Sequence, residues 1–157
     1  MTGDHGYDIR EIQFASDSAR KHLQALPNDL KTAISLLFGE VQYDSPLPRD
    51  RKKDLKGDLD GITELRQDYD GDTYRAYYVA SYREVLFVLD VDMKKSPKGG
   101  EIPRQTKVML KERQKLADRM YERDVDKYRE AYSARESKRN IRDAARNHHR
   151  AHSRRPK

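Results

Sequence analysis

The sequence contains no cysteine and no long hydrophobic run. The absence of cysteine excludes disulfide bonds, thiolate catalysis and zinc sites with cysteine ligands. No apolar stretch approaches the roughly 18 residues that a membrane-spanning helix needs. The first six residues, Met1 to Gly6, lack the basic and then apolar pattern of a secretory signal. We therefore expect a cytoplasmic protein without a membrane partner.

The sequence also lacks the common motifs of nucleotide and metal enzymes. It has no glycine-rich phosphate loop ending in Lys-Ser/Thr, no dinucleotide fingerprint and no His-Glu-x-x-His pattern. His148, His149 and His152 form a His-His-x-x-His pattern, but they lie in a low-complexity basic tail where an ordered metal site is not expected. His5 and His22 have no obvious acidic partner. The sequence thus predicts no cofactor and no metal.

Charge is abundant and unevenly distributed. Charged residues make up 38% of the 157 residues, hydrophobic residues 35%, and the formal net charge is +6. The segment from Arg135 to Lys157 has nine Lys or Arg and two Asp or Glu, whereas the other 134 residues have 24 and 25. The basic character therefore lies in the C-terminal tail. A basic surface elsewhere has to come from the arrangement of side chains.

The apolar residues are concentrated between Tyr7 and Tyr132 and predict one domain, after a disordered segment at 1–6. Tyr7–Phe14 reads as a first strand, and Ser16 suits the N-cap of a first helix. Pro27 marks the start of a second helix. In that helix Leu30, Ile34, Leu37 and Val41 form one apolar face. Residues 123–157 are predicted to be a basic extension, helical or partly disordered.

A β-hairpin follows a predicted loop from Tyr43 to Lys56. Side chains alternate in Ile62–Asp68, Asp70-Gly71 is a strong turn signal, and a return strand runs to Ala80. Val85–Val91 reads as a buried strand, which brings the predicted sheet to four strands. The next segment, to Gly100, is a basic loop broken by Gly and Pro. Pro103 then opens a long last helix with an aromatic stripe that is more typical of core or a docking surface than of base stacking.

Strand alternation places Glu64 and Arg66 on one face of the hairpin, together with Arg75 and Tyr77. Basic residues of the flanking loops add to this face; they are Lys52, Lys53, Lys56, Lys94, Lys95 and Lys98. We predict that Tyr77 and these lysines, other than Lys95, bind RNA. Guanidinium groups bind phosphate bidentately and stay charged. For the two arginines, structural pairing and phosphate contact are equally favoured. For Glu64, an ion pair with Arg66 or Arg75 is favoured over a role as a base.

The order of these segments resembles the RelE/ParE superfamily of toxin–antitoxin toxins, and it is most similar to the phage-derived, HigB-like branch. The resemblance rests on Leu59–Arg66, Asp70–Val79 and Val85–Leu89, followed by Lys94-Lys95-Ser96-Pro97. It implies a small α+β domain at residues 7–122, with two N-terminal helices on a twisted, mainly antiparallel sheet and a concave, basic opposite face. It also implies metal-independent, ribosome-dependent cleavage of mRNA, and a helix-turn-helix antitoxin as partner.

The resemblance implies roles for individual residues. Arg75 matches the strand arginine that stabilises the scissile phosphate, and Arg66 matches a basic position on the preceding strand. Lys95 stands where RelE-type members have an arginine, whereas Glu64 stands where they have a lysine. The general acid and base are left unassigned. The C-terminal tyrosine of some members has no clear counterpart here, because Tyr121 lies too far along a helix. Two alternatives stay open: a ParE-like inhibitor of DNA gyrase without nuclease activity, and a phage-derived nucleic-acid-binding module.

Overall fold

Five strands form one mixed sheet in the computed structural model, which describes residues 10–43, 46–94 and 101–153. The order across the sheet is β1-β5-β4-β3-β2. Strand β1 pairs in parallel with β5, and the other neighbours are antiparallel. The strands are β1 Glu11–Phe14, β2 Lys52–Asp54, β3 Thr63–Tyr69, β4 Asp72–Val79 and β5 Val85–Lys94.

The prediction of four strands is wrong by one, because part of the predicted loop from Tyr43 to Lys56 forms strand β2. Its three residues, Lys52–Asp54, pair antiparallel with Leu65, Glu64 and Thr63. All three are charged and exposed, so no alternation of apolar and polar side chains marks them as a strand. A short charged strand suits a sheet edge, where it discourages pairing with other chains.

Two helices cover one face of the sheet, as predicted. Helix α1 is Asp17–Gln24 and helix α2 is Asn28–Gln42. The backbone N–H of Ala19 donates to Ser16 Oγ at 3.2 Å, which confirms the predicted cap. The buried face of α2 consists of Leu30, Ile34, Phe38 and Val41. The half-buried Leu37 packs against the same cluster, and the unpredicted Phe38 is buried there, where its ring meets Tyr78 edge to face at 6.0 Å.

A long helix packs on the other face of the sheet. Helix α3 is Arg104–Ser153, with one non-helical residue at Asp124. Leu110, Ala117 and Tyr128 share a core cluster with residues of β4 and β5 such as Phe87. The rings of Phe87 and Tyr128 meet edge to face at 6.0 Å. The aromatic stripe is therefore core in this part of the helix, and the face opposite α1 and α2 is covered along much of its length.

Polar contacts fix α3 to the turn between β4 and β5. Tyr121 donates its hydroxyl hydrogen to the buried Glu84 carboxylate at 2.8 Å, and the Tyr82 hydroxyl bonds to Asp118. Burial and the bond to Glu84 raise the pKa of Tyr121. Arg83 Nε donates to the Tyr132 hydroxyl at 3.0 Å. These contacts hold Tyr121 on Glu84, at the β4–β5 turn. No helix of the described ranges, α3 included, has the length and hydrophobicity to cross a membrane.

Candidate active site

The hairpin of β3 and β4 closes at Asp70-Gly71, and this turn sets the register of the candidate site. Asp70 has a φ of 51° and Gly71 a φ of 83°, the left-handed pair of a two-residue hairpin turn. Counting back along both strands from this turn, Arg66 pairs with Arg75 and Glu64 pairs with Tyr77. Paired residues project from the same face of a sheet. The four side chains named from sequence alternation therefore do share one face.

The carboxylate of Glu64 accepts hydrogen bonds from both arginines. Arg66 Nε lies 2.6 Å from Glu64 Oε1, and Arg75 Nη1 lies 3.2 Å from Glu64 Oε2. The Glu64 side chain is 1% exposed and the Arg75 side chain 6%, whereas the Arg66 side chain is 35% exposed. The ion pairing favoured for Glu64 is present with both partners at once. Two guanidinium groups and one carboxylate give this triad a net charge of +1.

Tyr77 lies beside this triad, in the hydrophobic core rather than at the surface. It is 3% exposed and belongs to the cluster that includes Leu110 of α3. Burial, reinforced by the negative charge of Glu64, raises the pKa of Tyr77 to about 12, although a hydrogen bond with Arg75 acts in the opposite direction. The hydroxyl thus stays protonated at neutral pH. Because the ring is enclosed in this core, it presents no open face to solvent.

A second polar cluster lies on the next strand and was not predicted. Asp90 of β5 pairs with Tyr77 and is buried. Its Oδ1 lies 2.8 Å from His22 Nδ1 and 3.2 Å from Arg113 Nη1. Arg113 Nη1 also donates to the carbonyl oxygen of Leu89 at 2.7 Å. His22, for which the sequence indicated no acidic partner, therefore has one that lies 68 residues along the chain.

A β-bulge explains the position of Arg113. Tyr77 pairs with Asp90 and Tyr78 pairs with Val88, so Leu89 has no partner on β4. A bulge leaves the extra residue unpaired and turns its neighbours away from the regular alternation. Arg113 binds the carbonyl oxygen of that residue and the carboxylate beside it, and it thereby ties α3 to the sheet. Nothing in the local sequence of Val85–Asp92 signals the bulge.

The predicted RNA-binding lysines and the catalytic candidate Lys95 lie on different parts of the chain. Lys53 pairs with Glu64 and so shares the face of the triad, whereas Lys52 pairs with Leu65 and belongs to the opposite face. Both are exposed, as is Lys56 just before a 3₁₀ turn at Gly57–Leu59. The structure describes only the backbone of Lys94, at the end of β5, and Lys95 and Lys98 lie outside the described residues.

This arrangement is suited to binding a phosphate through cationic side chains. Arg66 forms the exposed edge of the triad, Arg75 lies behind it, and Lys53 stands on the neighbouring strand of the same face. Arginine forks match the geometry of phosphate oxygens. Within the ranges that the structure describes, no group of three or more His, Asp or Glu side chains is placed to hold a metal ion.

Comparison with known proteins places this hairpin in a family. The family model described as phage derived protein Gp49-like matches residues 21–115, which include α2, all strands from β2 to β5 and the start of α3. No curated protein matches the chain. The crystal structure of the toxin–antitoxin complex RelBE2 from Mycobacterium tuberculosis is similar at 24% identity and a TM-score of 0.42, over 54% of this chain and 98% of that chain.

Proposed function

Because the chain belongs to the phage-derived Gp49-like family, we propose that it is the toxin of a type II toxin–antitoxin system. Its activity is metal-independent cleavage of mRNA on the ribosome, which inhibits translation. A helix-turn-helix antitoxin encoded by a neighbouring gene is its inhibitor. The proposal rests on the family, on the hairpin that resembles RelE-type toxins, and on the site geometry.

The observation that carries the nuclease activity is the pair of arginines directly opposite each other on β3 and β4. Glu64 holds both guanidinium groups through separate carboxylate oxygens. Side chains fixed in this way do not have to be reorganised when negative charge develops on a phosphate, which is the main source of electrostatic catalysis. Glu64 is therefore a positioning residue in this proposal.

The chemistry uses a nucleophile from the substrate. The 2′-hydroxyl oxygen of RNA attacks the adjacent phosphorus and loses its proton to a base. The bond from phosphorus to the 5′-oxygen breaks, and that oxygen takes a proton from an acid. The products are a 2′,3′-cyclic phosphate and a 5′-hydroxyl end. Arg75 and Arg66 stabilise the charge on the phosphoryl oxygens, and Lys95 supplies a further cation.

Tyr77 supports this site without acting as its base. A pKa of about 12 keeps the phenol protonated at neutral pH, far from the value that suits a general base. Its hydrogen bond with Arg75 helps to orient the guanidinium group. Substrate approaches from the side of Arg66 and Lys53, where the triad meets solvent.

The test is primer extension on cellular mRNA after brief induction of the wild-type chain and of single variants. We expect Arg66→Ala and Arg75→Lys to reduce cleavage by roughly 10²-fold or more, because the first removes the exposed cation of the triad and the second replaces the guanidinium group that Glu64 holds. Circular dichroism establishes that each variant is folded. Arg66 is the more decisive position, since its side chain is partly exposed and its loss disturbs the core less.

Two lysines of β2 provide a matched control. Lys53→Ala is expected to weaken cleavage and Lys52→Ala to leave it unchanged, because only Lys53 shares the face of Glu64. Wild-type cleavage that persists in folded Arg66→Ala and Arg75→Lys variants would show that the site is elsewhere. Growth inhibition without mRNA cleavage, together with inhibition of gyrase supercoiling, would indicate a ParE-like activity instead of a nuclease.

A further inference from the structure

The C-terminal part of α3 carries its positive charge on a single face. With 3.6 residues per turn, all Lys and Arg residues of the helix after Tyr132 fall within about one third of its circumference, together with His149. We call this surface the basic stripe; it consists of Arg135, Lys138, Arg139, Arg142, Arg146 and Arg150. Between Lys138 and Arg150 the helix has five Lys or Arg and one acidic residue, Asp143.

The basic stripe continues the face that α3 buries against the sheet. Leu110, Ala117, Tyr128 and Tyr132 lie on that face and are buried. Arg135 is the transition, since its Nη2 donates to the backbone carbonyl of Glu84 at 3.4 Å. Beyond it Lys138, Arg142, Arg146 and Arg150 are exposed. One helix face thus changes from apolar packing to a row of cations about 18 Å long.

Repulsion between these cations destabilises the helix on which they lie. Lys138 and Arg142, Arg142 and Arg146, and Arg146 and Arg150 are like-charge pairs at i, i+4, and each such pair costs an isolated helix about 0.2–0.5 kcal/mol. Glu136, which pairs with Arg83 at 3.7 Å, and Asp143 are the acidic residues of this part of the helix, so the six cations of the stripe outnumber them. An anionic partner along the stripe would reduce the repulsion.

We propose that the basic stripe binds the phosphate backbone of a nucleic-acid helix. The stripe contains no apolar side chain, whereas specific protein interfaces have an apolar core. Five of its six Lys or Arg residues are arginines, whose forks pair bidentately with phosphate. Its spacing along one face matches an extended row of charges rather than a single anion. This surface lies outside the family match, which ends at residue 115.

The experiment measures binding of the full chain to a fluorescent 20-base-pair RNA duplex, and to a DNA duplex of the same sequence, over a range of salt concentrations. In the variant Arg142→Gln/Arg146→Gln/Arg150→Gln, we expect binding near 0.1 M salt to weaken by about 10²–10³-fold. The slope of log affinity against log salt is expected to fall by about 3, because three phosphate contacts are lost.

A control variant applies the same charge change to the opposite face. Ser137→Glu/Asn140→Glu/Ala144→Glu also lowers the net charge by three, and all three positions are exposed. We expect this control to retain the wild-type salt slope. Equal weakening by both variants would show that only net charge matters, and an unchanged affinity of the Gln variant would rule out the stripe. Either result overturns the proposal.

Further measurements complete the test. Circular dichroism compares the helicity of the variants, and Arg142→Lys/Arg146→Lys/Arg150→Lys is expected to bind within several-fold of wild type because its charge is unchanged. Comparing the RNA and DNA arms identifies which duplex is preferred. Binding of neither duplex, with binding of an acidic protein instead, contradicts the proposal. Since binding is measured without cleavage, a failure of the nuclease proposal leaves this result interpretable.

Discussion

Arg66 and Arg75 stand directly opposite each other on β3 and β4. Two like charges in this position repel each other, and Glu64 offsets the repulsion by accepting from both guanidinium groups. The arrangement brings a second arginine into a nearly dry environment, with Arg75 at 5% exposure. The stability of the hairpin and the position of the proposed catalytic arginines thus depend on the same carboxylate.

Glu64→Ala is expected to destabilise the protein by about 3–5 kcal/mol, because removing one partner from a buried ion pair leaves the other charge poorly compensated. Glu64→Gln should cost less, since the amide oxygen still accepts one hydrogen bond. Urea denaturation measures both. Glu40→Ala, at an exposed position of α2, is the control and should lie within about 0.5 kcal/mol of wild type. Similar stability of Glu64→Ala and Glu40→Ala would contradict the structural role of the triad.

The raised pKa of Tyr77 predicts a loss of stability at high pH. Its pKa is about 12 in the folded protein, against 10.0 for an ordinary tyrosine. Between these values the unfolded chain releases the proton and the folded chain retains it, so the free energy of unfolding falls as pH rises from 10 to 12. The expected loss is about 3 kcal/mol. Below pH 10 this contribution is constant.

Tyr77→Phe isolates this effect from the other buried tyrosines, which are common to both proteins. The variant should lose stability less steeply between pH 10 and 12, by about the same 3 kcal/mol. Parallel pH profiles of wild type and variant, measured by urea denaturation at each pH, would show that Tyr77 ionises normally.

The contacts of Arg113 at the bulge predict that two substitutions in α3 differ in their effect on stability. Arg113→Met removes the donor to Leu89 O and to the buried Asp90, and we expect a loss of about 2–4 kcal/mol. Lys115→Met, on an exposed part of the same helix, should change stability by less than about 0.5 kcal/mol. Thermal unfolding compares the two. Equal effects would mean that Arg113 does not tie α3 to the sheet.

Substitution of alanine for glycine should change stability in opposite directions at Gly71 and at Gly39. Gly71 has a positive φ in the hairpin turn, so Gly71→Ala should destabilise by about 1 kcal/mol. Gly39 lies inside α2, where an added Cβ meets nothing within 4 Å, so Gly39→Ala should stabilise by about 0.5–1 kcal/mol. Guanidinium denaturation of both variants tests the turn geometry and the helix together.

Local patterns were enough to predict most of the fold. Asp70-Gly71 and the alternation on either side specified the hairpin and the shared face of Glu64, Arg66, Arg75 and Tyr77. Ser16 and Pro27 located the helix starts. The resemblance to the phage-derived branch is confirmed by the family match. The predicted domain boundary near residue 122 and the catalytic roles stay predictions.

What the sequence could not provide were contacts between distant segments. The bond from His22 to Asp90 joins residues 68 apart, and the bulge that leaves Leu89 unpaired on β4 has no sequence signature. Strand β2 was missed because three charged residues have no hydrophobic period. The burial of Tyr77 could not be foreseen from alternation alone, since it depends on α3 packing against that face.

The parallel pairing of β1 with β5 has a consequence for the order in which the chain assembles. Glu11 pairs with Val85 and Phe14 with Val88, so β1 has no partner in the sheet until β5 has also been synthesised. The β3–β4 hairpin, by contrast, needs only contacts that are close in sequence. Strand β1 thus leaves the ribosome well before its partner, and until the two strands pair one edge of β5 is open to intermolecular pairing.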